Sequence, residues 1–387
     1  SLGETIASAA LVAELRLGLP GMRLLLTHGT ATGRARGASL LEPGDAQVWQ
    51  PWDTPAAVEA FLQHFKPSIG LLMETEVWPS LVAGCQRRGV PLCLVNARLS
   101  DKSLRQAQRL AWLARPAYCA LHAVWAQSPA DAQRLQSLGA PVQGVFGNLK
   151  FDLQPNIDQL ALGRAWRQRV GQPVVCLAIS REGEEAMLLE ILRTLQLDAK
   201  SASEAMDSAG AAPETIANQV QWMVVPRHPQ RWEEVASLAE SMGFAVLRRS
   251  QWGRSGPPDH RPVLWLGDSM GEMALYYGLS DIALLGGSFA PLGGQNLIEA
   301  LACGCPVVMG PHTFNFAQAA ELACAASAGW QVADMGLAVT QALALLRAPD
   351  ARAAAVHAAT GFARANQGAA LHTARAVQAL LAQVAEK

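Results

Sequence analysis

The densest run of chemistry-bearing residues is Ile282–Pro311, IALLGGSFAPLGGQNLIEALACGCPVVMGP. An apolar strand is predicted to end at Gly286-Gly287-Ser288, and after Pro291 the run Gly293-Gly294-Gln295-Asn296 is predicted to open a helix. Paired glycines let a backbone approach a ligand closely, and unpaired N–H groups at a helix start attract phosphate. Glu299 falls one turn into that helix, where a carboxylate can accept both hydrogen bonds of a ribose diol. Strand, glycine pair, helix and acid together point to a nucleotide-sugar site. A second group, Val224-Val225-Pro226-Arg227-His228-Pro229, puts Arg227 and His228 just past a strand, where open parallel sheets bind ligands. The Arg227 fork suits a phosphate or carboxylate, and a structural ion pair or cap accounts for it as well. Ser180, with Arg181-Glu182-Gly183-Glu184-Glu185 behind it, reads as a helix cap, with a phosphate contact as an addition.

Acids at other strand ends have similar double readings. Glu4, in the first turn of an apolar helix, is a dipole-favoured N-terminal acid or, after a tight turn at Gly3, an acid projecting into a cleft. Glu74 and Glu76, in Glu74-Thr75-Glu76-Val77-Trp78-Pro79, read as helix caps. Asn96-Ala97-Arg98-Leu99-Ser100 follows the next strand, and Gly147-Asn148-Leu149-Lys150-Phe151-Asp152 closes the first half of the chain.

These residues need strand ends to hold them. Short apolar runs predict strands at 22–27, 69–73, 92–96, 123–126, 142–144, 174–179, 222–225, 245–247, 263–266, 282–285 and 306–309. Amphipathic stretches between them predict helices, one of them over 103–113. The alternation reads as α/β, with parallel sheets covered on both faces. At ~100–200 residues per domain, 387 residues give two domains, placed at 1–152 and 153–352, with a helical tail over 353–387. The Ala/Ser/Gly-rich segment 198–218 reads as a mobile surface insertion, and 251–262 as a second loop.

Half the chain is hydrophobic and 16% is charged, with 31 Lys+Arg against 32 Asp+Glu for a net charge of -1. That excludes a disordered chain and a nucleic-acid binder working through bulk positive charge. Seven scattered cysteines include no CxxC pair, which disfavours a zinc site or disulfide framework and suggests a reducing compartment. No GxGxxG follows a strand, which disfavours a nicotinamide dehydrogenase. The charge is uneven: residues 1–154 hold 14 basic against 11 acidic side chains. Within 84–118, Arg87, Arg88, Arg98, Lys102, Arg105, Arg109 and Arg115 face one acid, Asp101. This basic face is a solvated surface or a platform for a phosphorylated acceptor or anionic lipid.

Six segments, Ser1–Glu4, Glu74–Pro79, Asn96–Ser100, Gly147–Asp152, Pro226–Pro229 and Gly286–Glu299, recur in order along nearly the whole chain. Together they resemble the bacterial 3-deoxy-D-manno-octulosonic acid (Kdo) transferases, glycosyltransferases of lipopolysaccharide synthesis. The resemblance implies a GT-B fold, two Rossmann-like domains facing a cleft. It implies CMP-Kdo as donor, the lipid A precursor as acceptor, and inversion without an active-site metal, cofactor or nucleic-acid partner. Glu4 matches the family's catalytic glutamate, and one base suits direct displacement. Ser180, Arg227, His228, Gly287, Ser288, Gly293, Gly294 and Asn296 match the donor side, and Glu299 matches the acid that binds the ribose. Kdo's own carboxylate calls for a further cation, for which Arg36 and Lys150 are candidates and Arg34 an alternative.

Two departures stand out: Gln295 replaces a histidine, and Ser180-Arg181-Glu182-Gly183-Glu184 replaces Ser/Thr-His-Glu-Gly-Glu. Family members are anchored at the cytoplasmic face of the inner membrane by an N-terminal apolar segment. An anchor and a first strand are therefore expected ahead of Ser1, and a chain without them is expected to be weakly active or inactive. The alternatives are a GT-B enzyme using a UDP-sugar and a non-catalytic nucleotide-binding paralogue.

Overall fold

Apolar runs that can be buried on both faces become central parallel strands. The computed structural model describes residues 2–206, 219–253, 255–258 and 263–385. They form two units, residues 1–153 with 366–387, and residues 154–365. In the first unit, β1 (Leu25–His28) pairs with β2 (Ala46–Trp49). A second sheet there has the order β3 (Gly70–Met73), β4 (Leu92–Ala97), β5 (Ala123–Ala126), β6 (Val142–Val145). In the second unit, β7 (Val174–Ser180), β8 (Gln221–Pro226), β9 (Ala245–Arg248), β10 (Val263–Leu266), β11 (Ile282–Leu285), β12 (Val307–Met309) and β13 (Gly329–Gln331) form one sheet. Its order is β13-β12-β11-β7-β8-β10-β9. Every ladder is parallel. Chain order reverses between β7 and β11, the kind of switch point at which open α/β sheets leave a ligand crevice.

Three expectations are corrected. The helix expected over 103–113 is two helices, Asp101–Arg109 and Ala111–Cys119, broken at Leu110 where φ is -108° and ψ 36°. Residues 198–206 continue the helix Glu184–Met206, so they are no loop; 207–218 lie outside the described residues. The tail expected over 353–387 is likewise two helices, Pro349–Ala365 and Ala369–Ala385, the first belonging to the second unit and the other to the first. β2 and β13 were not expected from the sequence. Part of the 251–262 loop, residues 254 and 259–262, also lies outside the described residues. Among the described residues no helix is long and apolar enough to cross a membrane.

The helix Leu2–Gly18 carries Glu4, and the last helix holds it in place. Ala7, Leu11 and Leu15 pack against Ala369, Ala370, Ala374, Val377 and Leu380, over Val95, Trp125 and Leu149. The Ala369–Ala385 helix is tied to its unit through Asp152, whose carboxylate accepts the Gly368 and Ala370 N–H groups at 2.5 and 2.7 Å. Removing such a cap costs about 1–2 kcal/mol. Asp152→Ala is expected to lower the melting temperature of this unit by about 2–6 °C, read by thermal unfolding.

Candidate active site

Each unit gathers its functional side chains at the carboxyl ends of its strands. In the first, Glu74 follows β3 and is buried, with φ at 55°, and Asn96 in β4 has φ at 51°. Non-glycine residues in this region cost about 1–3 kcal/mol each and persist where the surroundings fix them. They are fixed here. The Glu74 carboxylate takes Arg98 Nε at 2.7 Å and lies 3.5 Å from Lys150 Nζ. Asn96 Oδ1 accepts the Leu149 N–H at 3.0 Å, and its carbonyl accepts Gln127 Nε2 at 2.9 Å. Lys150 therefore joins the acids as Glu74's counterion. Arg36 stands exposed in the last turn of Ala31–Gly37, outside that ion-paired cluster, and Arg34 lies over the Trp49 ring at 5.2 Å.

Glu4 projects from the first turn of its helix, beside Glu76. Burial, then the Glu4 carboxylate, push the Glu76 carboxyl up. The capping roles expected for Glu74 and Glu76 belong to Asp53, which accepts the Ser80 and Leu81 N–H groups at 3.1 and 2.9 Å. Three carboxylates and two cations thus meet at the ends of the first unit's elements, a setting in which one acid can accept a proton while its neighbours hold theirs or are ion-paired.

In the second unit the keystone is Glu184, which the sequence reading treated as a cap alone. Its buried carboxylate accepts N–H groups from Arg181 (2.9 Å), Gly287 (2.7 Å), Phe289 (3.0 Å) and Ala290 (3.3 Å). Burial pushes its carboxyl up against those four bonds. Gly286 packs so close to the Ile179 carbonyl that no Cβ fits. Gly293 and Gly294, at φ 89° and 77°, turn the chain back so that Gly294 N–H reaches the Gly287 carbonyl at 2.7 Å.

Several donor-side residues turn out to be engaged inward. Ser180 is buried and its hydroxyl donates to Glu185 Oε1 at 2.7 Å, within a network completed by Arg231 at 2.8 Å. Ser288 Oγ donates to the Leu285 carbonyl and accepts the Gly310 N–H at 2.8 Å. Both hydroxyls are thus engaged within the unit. Asn296 caps its own helix, accepting the Ile298 N–H at 3.1 Å, and that helix, Leu297–Ala302, is six residues long. The helix start is thus a weaker phosphate site than expected. His228 opens the short turn Pro229–Arg231.

Arg227 and Glu299 differ from these in their surroundings. Arg227 Nη1 donates to Gln295 Oε1, and burial followed by the nearby Arg181 guanidinium lowers its pKa. Burial alone pushes the Glu299 carboxyl up, and among the described residues no hydrogen bond engages it. Such a group can donate or accept to a diol. Arg181, which the sequence reading noted only as a cation in place of the family's histidine, lies near enough to Arg227 to act on its charge.

On the first unit's surface, Lys102, Arg105, Gln106 and Arg109 line a recess of about 200 Å³. Beside it Leu110, Trp112 and Leu113 are exposed, Trp112 by 77%.

Comparison with known proteins settles the family. The family model for 3-deoxy-D-manno-octulosonic-acid transferase (kdotransferase) matches residues 1–153. The 3-deoxy-D-manno-octulosonic acid transferase of Bordetella pertussis is 45% identical over 384 residues, 98% of this chain and 85% of that protein. The chain belongs to the Kdo transferase family. The Haemophilus influenzae transferase is 32% identical over 82% of this chain and 70% of its own. A glycosyltransferase structure from Rickettsia africae aligns over 100% of this chain and 97% of its own, with a TM-score of 0.59 at 12% identity. The fold is GT-B, and the protein is a glycosyltransferase of lipopolysaccharide synthesis.

The Glu4–Glu76 pair has a measurable signature. A carboxyl raised above its ordinary 4.5 contributes stability that is whole below that value and is lost as pH rises through the folded-state value. Glu76→Gln cannot ionise, so it is expected to melt higher than the parent at neutral pH, the gap closing on acidification. A gap independent of pH would contradict a raised Glu76 carboxyl.

Proposed function

We propose that this enzyme moves Kdo from CMP-Kdo to the lipid A precursor, with inversion and without an active-site metal, at the cytoplasmic face of the inner membrane. The observation that carries the reading is the division of charge: carboxylates around Glu4 in the first unit, and an arginine with a neutral partner, Arg227, in the second. Glu4 takes the proton of the acceptor hydroxyl as that oxygen attacks the anomeric carbon. The new C–O bond forms as the bond to the CMP phosphate breaks, and the electron pair leaves with CMP. Arg227 holds the leaving phosphate, the role a cation would otherwise fill. Glu299 takes the ribose diol, and Arg36 is a candidate for an anionic group of donor or acceptor. Lys150 acts through Glu74, holding the acids in place.

The test is a product mass spectrum from CMP-Kdo and the lipid A precursor, with and without a chelator. The expected product carries added Kdo, chelator or not. Glu4→Ala is expected to lower its formation by about 10²–10⁴-fold with CMP affinity retained. Unchanged turnover would remove Glu4 as the base, and tighter binding of UDP than CMP would move the enzyme to another donor.

Membrane contact is assigned to the basic recess with its exposed Leu110, Trp112 and Leu113. Basic side chains attract anionic head groups at about 1 kcal/mol each, and an indole sits well at the interface. Arg105→Glu with Arg109→Glu is expected to weaken sedimentation with anionic vesicles about tenfold or more, while neutral vesicles bind both proteins alike.

A further inference from the structure

The second unit holds an arrangement that goes beyond a single phosphate-binding arginine. β11, β7 and β8 are neighbours, and the order reversal lies between the first two. Ser180 and Pro226 are partners in parallel register, so Arg181 and Arg227 leave adjacent strands side by side. Arg227 N–H donates back to the Ser180 carbonyl at 3.1 Å, fixing where its side chain starts. That side chain reaches Gln295, whose own N–H donates to the Gly286 carbonyl, at 3.1 Å, beyond the end of β11. The Arg227 fork therefore spans the end of β7, the strand from which Arg181 emerges. The Arg181 backbone is anchored to the same turn through Glu184, which also holds Gly287.

In this corner, among the described residues, only Arg181 has a carboxylate partner through its side chain. Arg227's recorded side-chain partner among the described residues is the neutral amide of Gln295. Arg181 Nε donates to Glu182 at 3.1 Å, an acid whose side chain is 56% exposed and faces water. Two like charges held close disfavour each other, and a shared anion relieves that cost. A neutral acceptor orients the fork of Arg227 without removing its charge, which a carboxylate at 295 would do.

We propose that Arg181 and Arg227 form a two-guanidinium clamp on one oxyanion of the donor, with Gln295 as the neutral strut that positions Arg227. The proposal rests on the donor reading above and adds Arg181 and Gln295 to it. A sugar nucleotide with an acidic sugar offers two such oxyanions, the phosphate and the sugar carboxylate. Both are bound by the same bidentate chemistry.

The test is calorimetric titration of the full chain with CMP, cytidine and free Kdo. Arg181→Met and Gln295→Glu are the variants, and thermal melting confirms that each is folded. If the clamp holds phosphate, both variants weaken CMP by about 10–100-fold and leave cytidine unchanged. If it holds the carboxylate, the same loss appears with Kdo while the ratio of CMP to cytidine affinity stays at the parent value. Both outcomes support the clamp. Parent-like affinity of both variants for CMP and for Kdo overturns it. Failure of the donor reading is separate: the parent chain would then bind UDP more tightly than CMP. Comparison of UDP with uridine on the same variants would still support or overturn the clamp.

Discussion

Glu184 is the point on which the second unit's chemistry hangs. A carboxylate removed from water costs several kcal/mol unless its oxygens are satisfied. Here four backbone N–H groups satisfy them, one from the turn after β7 and three from the loop after β11. That set fixes the spacing of two loops more than a hundred residues apart in sequence. Gly287 then positions Gly294, Gly286 positions Gln295, and Gln295 orients Arg227. Each step is a hydrogen bond, so the position of the Arg227 side chain is inherited from one buried acid.

The first unit solves the opposite problem. It must keep several carboxylates together without letting them drive each other out. Arg98 and Lys150 bind Glu74, and backbone strain at Glu74 and Asn96 is held by the pairing of Leu149 and Gln127 with Asn96. Beside them, burial and then the Glu4 carboxylate raise the Glu76 carboxyl.

Legibility followed burial and distance. β4, β5, β7 and β11 are apolar runs buried almost throughout, and their alternation with helices announced parallel sheets. β2, AQVW, is partly exposed and has no such run, and β13 is three residues long, so neither carries a pattern. The break at Leu110 is a single backbone turn within an otherwise helical sequence. At the site, glycine pairs and strand-end cations were visible because their chemistry is local. The inward turns of Ser180 and Ser288, the replacement of Glu74 and Glu76 by Asp53 as the cap, and the reach of Glu184 to Gly287 depend on partners far along the chain. No spacing rule encodes them.

The return of residues 369–385 to the first unit also bears on how the molecule is made. Synthesis runs from the N-terminus, and domains generally fold as units while the chain emerges. The second unit, 154–365, is complete before the last helix leaves the ribosome. The first unit, begun earlier, is completed by it: Ala7, Leu11 and Leu15 pack over Val95, Trp125 and Leu149 and also against Ala369–Leu380. During that interval the helix bearing Glu4 has only part of its apolar stripe covered. The second unit can therefore be complete before the first, whose Glu4 helix gains its Ala369–Leu380 partners only afterwards.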